Sequence, residues 1–282
     1  MGPPGGGRSV ISQRFQSRFH VINFAAPEQA ELRRIFECIL SSRVLATNGD
    51  DPAFDDEIKS MCSNVVLSTV GLYKMVTESF LPTPTKPVYI FNMRDMSKVI
   101  EGMLRAKSTQ FVSSDLYLQL WIHESQRVFA DRLNSNQDKI KFNQMLDDQL
   151  QANLGNSMSA LVEDSESASC GPVVTDILSD PDGDESHGTT VQVIENFNRL
   201  KLRVLEDLED YNIEPGFIPM NLVLFRDALG HLMRILRVLR TPRGNSLLVG
   251  VGGSGRQSQT RLAAFICEMK VFGIEITKNY RS

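Results

Sequence analysis

The run Leu247–Ser258, LLVGVGGSGRQS, restricts this chain more than any other feature. Four glycines within six residues cannot continue a helix or a packed strand. The apolar residues Leu247, Leu248 and Val249 before them predict a strand. Leu262, Phe265, Ile266 and Met269 after them predict an amphipathic helix over about 256–270. Strand, glycine loop and helix in that order match the phosphate-loop template G-x-x-x-x-G-K-[ST], with Gly250 and Gly255 at its two glycine positions. Glycines let backbone N–H groups turn toward phosphate oxygens, and the helix N-terminus adds partial positive charge.

The chemistry-bearing positions depart from the template. Arg256 stands where it has lysine, and a planar guanidinium does not replace a compact ammonium. Gln257 stands where it has the magnesium-binding hydroxyl, and Ser258 comes one place late. The candidate nucleotide-binding residues are Gly250, Gly252, Gly253, Ser254, Gly255, Arg256, Gln257 and Ser258. Binding without efficient hydrolysis is expected; a strand–turn–helix that binds nothing is the alternative.

At 282 residues the chain has room for two domains, at about 150 residues each. Thirty basic residues against 34 acidic ones give a net charge of −4, which leaves no positive excess to drive nucleic-acid binding. No run of 18 apolar residues predicts a membrane span, and MGPPGGGRSV lacks the apolar core of a secretory signal. Gly6 also stands where a myristoylation motif wants Ser or Thr. The four cysteines, Cys38, Cys62, Cys170 and Cys267, form no CxxC pair, so reduced thiols in an intracellular setting are expected.

Along the chain, residues 1–10 are too rich in glycine and proline for regular structure. Pro27 opens a helix carrying Leu32, Ile35, Phe36, Ile39 and Leu40. A second helix over about 55–79 carries Ile58, Met61, Cys62, Val65, Val66, Thr69 and Val70. Pro82, Pro84 and Pro87 stop it. Val88–Phe91 form a short apolar segment, and Met96, Val99, Ile100, Met103 and Leu104 a helical stripe. Ser113 or Ser114 caps the next helix, with Leu118, Trp121, Ile122, Ser125 and Phe129 on one face. A further amphipathic stretch covers about 137–151, so residues 27–151 read as a helical bundle. Residues 152–190 have little to bury and read as an acidic disordered linker. Helices are then expected over 191–210 and Asn221–Leu239, followed by a TPRG turn and a last β-prone segment, IEITKNY.

Other constellations are weak. Asp180, Asp182 and Asp184 alternate like a calcium loop, but the twelfth position is Val191 rather than a bidentate Glu, which favours a solvated loop. His20, His123, His187 and His231 show no metal-ligand spacing, so no metal site is expected. G-x-S-x-G is absent, which leaves no nucleophile elbow.

The segments MGPPGGGR, RFHVINFAAP, YIFNMRDMSKVIEGML and MNLVLFRDALGHLMRILRVLRTPRGNSLLVGVGGSGRQSQTRLAAFI, in that order, resemble dynein heavy chains of the axonemal type. They match the boundary between the third and fourth AAA+ modules of the motor ring. Gln259 stands where such chains have Leu. The resemblance implies a mainly α fold with an incomplete α/β part, a helical lid followed by the start of a second αβα subdomain. Residues 1–25 would end one large subdomain, 26–151 form the lid, 152–190 the linker, and 191–282 the start of the next module.

The resemblance also implies roles. Arg94 matches the lid arginine that reaches a γ-phosphate; a salt bridge with Asp95 or Glu101 is the alternative. Arg14 and Arg18 lie where a module offers an arginine finger to its neighbour, or are exposed basic residues. ATP or ADP is the implied nucleotide, with magnesium in the parent and weak or absent here. Neither of the two sites is complete within these residues, and the stalk and microtubule-binding tip have no counterpart. The segment alone is therefore expected to be inactive, inside a parent that is an ATP-driven, minus-end-directed motor of the cilium axoneme. Its partners would be the rest of the ring and, through the parent, intermediate and light chains and microtubules, with neither nucleic acid nor membrane. A non-catalytic helical adaptor is the alternative function.

Overall fold

The computed structural model describes residues 11–22, 24–46, 52–162, 171–178, 191–194 and 196–274. The chain divides into two compact units. The first takes residues 1–48, 56–104 and 124–158; the second takes 49–55, 105–123 and 159–282. The described residues are mostly helical, with one small antiparallel sheet.

The first unit holds α1 (Gln13–Gln16), α2 (Gln29–Leu45), α3 (Asp56–Ser79), α4 (Met93–Met103) and α6 (Asn136–Gln149). It also takes the C-terminal turns of α5 (Ser114–Val128). Helix α2 starts two residues after Pro27, because Glu28 is extended and its N–H donates to the Glu31 carboxylate at 3.0 Å. It buries Leu32, Phe36, Leu40 and Val44, a single i+4 row that packs on α3. Ile35 and Ile39, expected on that face, are 50% and 40% exposed, because one row of spacing four leaves the i+3 positions outside the contact. Helix α3 carries Asp56 and Glu57 in its first turn, favourable at the positive end of the dipole. Its buried face takes in the expected Ile58, Cys62, Val65, Val66, Thr69 and Val70, leaves Met61 half-buried, and extends to Leu72 and Val76.

Asn92 caps α4 by accepting from the Arg94 N–H at 2.9 Å, and its own N–H donates to Asp95 at 3.0 Å. The expected stripe Met96, Val99, Ile100 and Met103 is buried. Ser113 caps α5, its hydroxyl accepting from the Leu116 N–H at 3.3 Å. After α6 the chain widens into a π-helical turn, Leu150–Leu154, that ends at Gly155 with φ +67°. Phe80, Tyr89, Phe91, Phe129 and Phe142 form a chain of ring contacts through this core.

The second unit takes the N-terminal part of α5 and then α7 (Met158–Leu161), β1 (Val174–Thr175), β2 (Gln192–Val193), α8 (Phe197–Ile213), α9 (Arg226–Leu239) and α10 (Arg256–Ile266). Leu200, Val204, Leu208, Leu229, Leu232, Leu236 and Leu262 belong to one buried cluster. Within 152–190, read as a disordered linker, the described stretches are ordered. Val173 and Val174 are buried, and β1 pairs with β2 in the register Val174↔Val193. The average composition of that tract hid the short apolar run PVVTDIL. The alternating aspartates and His187 lie outside the described residues.

Three helix boundaries also move. Residues 191–194, expected to be helical, hold β2, and β-branched Val191, Val193 and Ile194 favour that choice. Helix α8 begins only after Asn196, whose side chain accepts from Asn198 and Arg199 N–H groups. Residues 221–225 are extended rather than helical, anchored where Asn212 exchanges two hydrogen bonds with the Met220 backbone. Helix α10 ends at Ile266 instead of near 270: Glu268 takes φ +55°, and the Met269 N–H closes back on Ala264 at 2.8 Å. No helix of the described residues is long and apolar enough to cross a membrane.

A candidate phosphate-binding loop

The loop is set by what precedes it. Helix α9 ends at Leu239, and the Gly244 N–H closes a turn on the Thr241 carbonyl at 2.9 Å. A Cβ on Gly244 would lie 1.9 Å from the Val238 carbonyl oxygen, so only glycine fits. Residues 245–251 then run extended, but they form no ladder among the described residues. The strand expected here does not form among the described residues. Leu248 packs on the buried cluster, while Leu247, Val249 and Val251 are 83%, 81% and 79% exposed.

Gly253 and Gly255 take φ +79° and +74°, the left-handed region that disfavours other residues. Gly252 and Gly253 have open space where a side chain would stand, so the backbone there can be approached closely. Gly255 is the N-cap of α10, whose first closing bond runs from the Gln259 N–H to the Gly255 carbonyl at 2.8 Å. The N–H groups of the first α10 turn therefore have no partner within the helix. No acidic residue lies in that turn. The local field is positive, from the helix dipole and from Arg256.

Arg256 folds back over the loop. Its guanidinium donates to the Val251 carbonyl at 3.1 Å and the Leu248 carbonyl at 3.4 Å. Neither acceptor has a sequence signature, and sequence reasoning missed both. Gln257 is exposed and Ser258 half-buried. Glycines and amides suit a polyphosphate. The donor set suits magnesium poorly, since a neutral amide replaces the template hydroxyl. No cluster of three or more His, Cys, Asp or Glu residues suited to a metal occurs among the described residues.

The loop residues 250–258 come together as their spacing requires. The other candidates lie in the first unit. Arg14 and Arg18 are exposed on and just beyond α1. Arg94 is exposed at the start of α4, and the alternative pairing with Asp95 is corrected: that carboxylate binds Arg132 and Lys98 instead. Asp95 is buried, a cost that raises its pKa, but the Arg132 guanidinium and the Asn92 N–H outweigh it and hold the carboxyl below its ordinary range. His123 is buried, with Nδ1 2.9 Å from the Pro172 carbonyl, a helix-packing role.

Two family models match the chain. One, described as the ATPase lid domain of the dynein heavy chain, covers residues 42–139; the other, described as the P-loop containing dynein motor region D4, covers residues 220–282. Among curated proteins, the Dynein-1-beta heavy chain of the flagellar inner arm I1 complex from Chlamydomonas reinhardtii is 44% identical over 281 residues. Dynein axonemal heavy chain 2 from Mus musculus and from Homo sapiens are each 41% identical over 281 residues. These alignments take in 100% of this chain and 6% of each relative, so the chain spans a small part of their length. A lid match, a glycine loop within the D4 match and this identity along the whole chain lead to one conclusion: the chain belongs to the axonemal dynein heavy chains, as the segment that runs from the ATPase lid into the start of the D4 phosphate-loop region.

Proposed function

We propose that this chain forms part of the AAA+ ring of an ATP-driven, minus-end-directed microtubule motor in the ciliary axoneme. Residues 26–151 act as the helical lid of one module, after the end of its large subdomain at 1–25. Residues 191–282 open the next module and hold a degenerate, regulatory nucleotide-binding loop. The remaining ring modules, and through them intermediate and light chains and microtubules, are its partners.

One observation carries this reading. Gly252–Gly255 open the backbone at the N-terminus of α10, with Arg256 at the template lysine position. Loop N–H groups would bind the phosphates of ATP or ADP, and Arg256 would give up its loop carbonyls to meet them as a charged donor. Gln257 offers magnesium a poor ligand, which favours retention of nucleotide over turnover. Binding then biases how lid and large subdomain dock, a rigid-body form of regulation. Arg94 would read a γ-phosphate, and Arg14 or Arg18 would serve the neighbouring site.

The test is Arg256→Ala in a heavy chain that carries this segment. Loss of a charged hydrogen bond, worth about 1.5–3 kcal/mol, lowers nucleotide affinity at this loop by roughly 10- to 150-fold. Nucleotide-dependent motility changes with it. Unchanged affinity and motility would sink the regulatory reading.

A further inference from the structure

We infer that Asp176 is a positioning residue for the phosphate loop, acting through Arg240. The carboxylate is buried and lies on the chain just after β1. It forms an ion pair with the guanidinium of Arg240, the C-cap of α9, and its second oxygen lies 3.9 Å from Arg105. Arg105 also donates to the Thr241 hydroxyl at 3.4 Å, and that hydroxyl donates to the Arg237 carbonyl at 2.7 Å. The positive charge of Arg240 also acts on the thiol of Cys267, the C-cap of α10, which packs against the same buried cluster.

These contacts meet at both flanks of the loop. Arg240 and Thr241 stand where the chain leaves α9 for the extended run into the glycines. Cys267 stands where α10, the helix that starts from those glycines, ends. One carboxylate therefore ties entry and exit to a common point. The carboxylate is itself held in place. The Ile194 N–H donates to the Val173 carbonyl at 2.9 Å, and the Thr175 hydroxyl points at the Met233 sulfur of α9 at 3.0 Å. Removing one member of a buried pair leaves the other charge uncompensated, so the contact resists opening. The ordered part of the acidic tract is thus a strap that fixes the geometry of the loop. Its effect on nucleotide binding rests on the function proposed above.

The test uses the 282-residue chain with Asp176→Asn and Asp176→Glu. Hydrogen exchange is followed over residues 240–244 and 259–267, the hydrogen-bonded flanks of the loop, and iodoacetamide modification is followed by mass spectrometry on the peptide that holds Cys267. Burial and the Asp176 charge both raise the Cys267 pKa, and Arg240 lowers it. Asp176→Asn leaves Arg240 uncompensated, so the thiolate gains and alkylation accelerates. Exchange over 240–244 and 259–267 should rise by about tenfold, a modest part of what a broken buried pair costs. Asp176→Glu keeps the carboxylate and stays near the wild type in both measurements. Should Asp176→Asn unfold the chain by circular dichroism, Arg240→Lys, which keeps the charge and loses the fork, takes its place. Unchanged exchange over 240–244 and 259–267 in a folded variant overturns the inference. Fluorescent ADP separates the two ideas: a wild-type chain that fails to bind it counts against the nucleotide function, while exchange and alkylation still judge the strap.

Discussion

Replacing Gly102 by alanine sets two effects against each other. Within a helix the change gains about 0.8–1 kcal/mol of intrinsic propensity. Here the new Cβ would lie 2.2 Å from Oε2, 2.3 Å from Cδ and 2.6 Å from Cγ of Glu124. Three atoms of one side chain are in the way, so a rotation of the terminal carboxylate alone does not clear the space. Glu124 is fully buried, and Arg127 grips its Oε2 at 2.7 and 2.8 Å. Overpacking costs about 1–3 kcal/mol, and loosening a buried pair adds part of the roughly 3–5 kcal/mol that its full loss costs. The balance is a destabilisation of about 2–4 kcal/mol, which for a urea slope near 2 kcal/mol/M lowers the midpoint by about 1–2 M. Trp121, the single tryptophan, is buried one helical turn from Glu124 and reports the transition by its fluorescence. In a Glu124→Ala background the same glycine change should be neutral or slightly favourable, because only the propensity gain remains. A Gly102→Ala variant of the otherwise unchanged chain that is as stable as the wild type would refute the steric argument.

The other expectations are simpler. Leu40→Ala, at a fully buried position of α2, should lower stability by about 2–4 kcal/mol. Ile39→Ala, one residue away and outside the contact, should cost well under half as much in the same urea titration; equal losses would contradict the single-row packing of α2. Asp95 has a folded-state pKa below its ordinary range, so it contributes stability above the unfolded value of about 3.9 and loses it as pH falls through the lower folded value. Asp95→Asn should therefore be less stable than the wild type at pH 7 and show a flatter fall below about pH 4. Parallel acid-denaturation curves for the two would show that the Arg132 pair contributes nothing.

Helices α3 and α4 were legible because their apolar residues repeat with a helix's own period, and because the prolines after α3 mark its end; the Asn92 cap of α4 was not read. The glycine loop was legible for the same reason: its φ demands are local and only glycine meets them. What failed was non-local. β1 and β2 pair residues 19 and 17 positions apart, Val174 with Val193 and Thr175 with Gln192, and neither run is long enough to announce a strand. The extended run at 245–251 has the composition of a strand but lacks a neighbour, and composition cannot supply one. Arg256 was singled out by position, yet its acceptors are backbone carbonyls, which every residue owns. The buried carboxylates Asp95, Glu124 and Asp176 were invisible individually, since only the fold reveals which guanidinium each one meets.

The extended run Asn245–Val251 also bears on how such a chain must be handled. Its outward row, Leu247, Val249 and Val251, is apolar and β-branched at two of three places, and carries no charge. The Leu248 and Val251 carbonyls accept from Arg256, but no ladder forms along the run among the described residues, and such a backbone beside an apolar row is a template for further strands. Colloidal behaviour is then a matter of concentration and time rather than of folding stability. A solution of perfectly folded molecules can still lose them, one edge at a time, to intermolecular pairing. A lysine at position 249 would act as a gatekeeper against that loss, at little cost to the fold it guards.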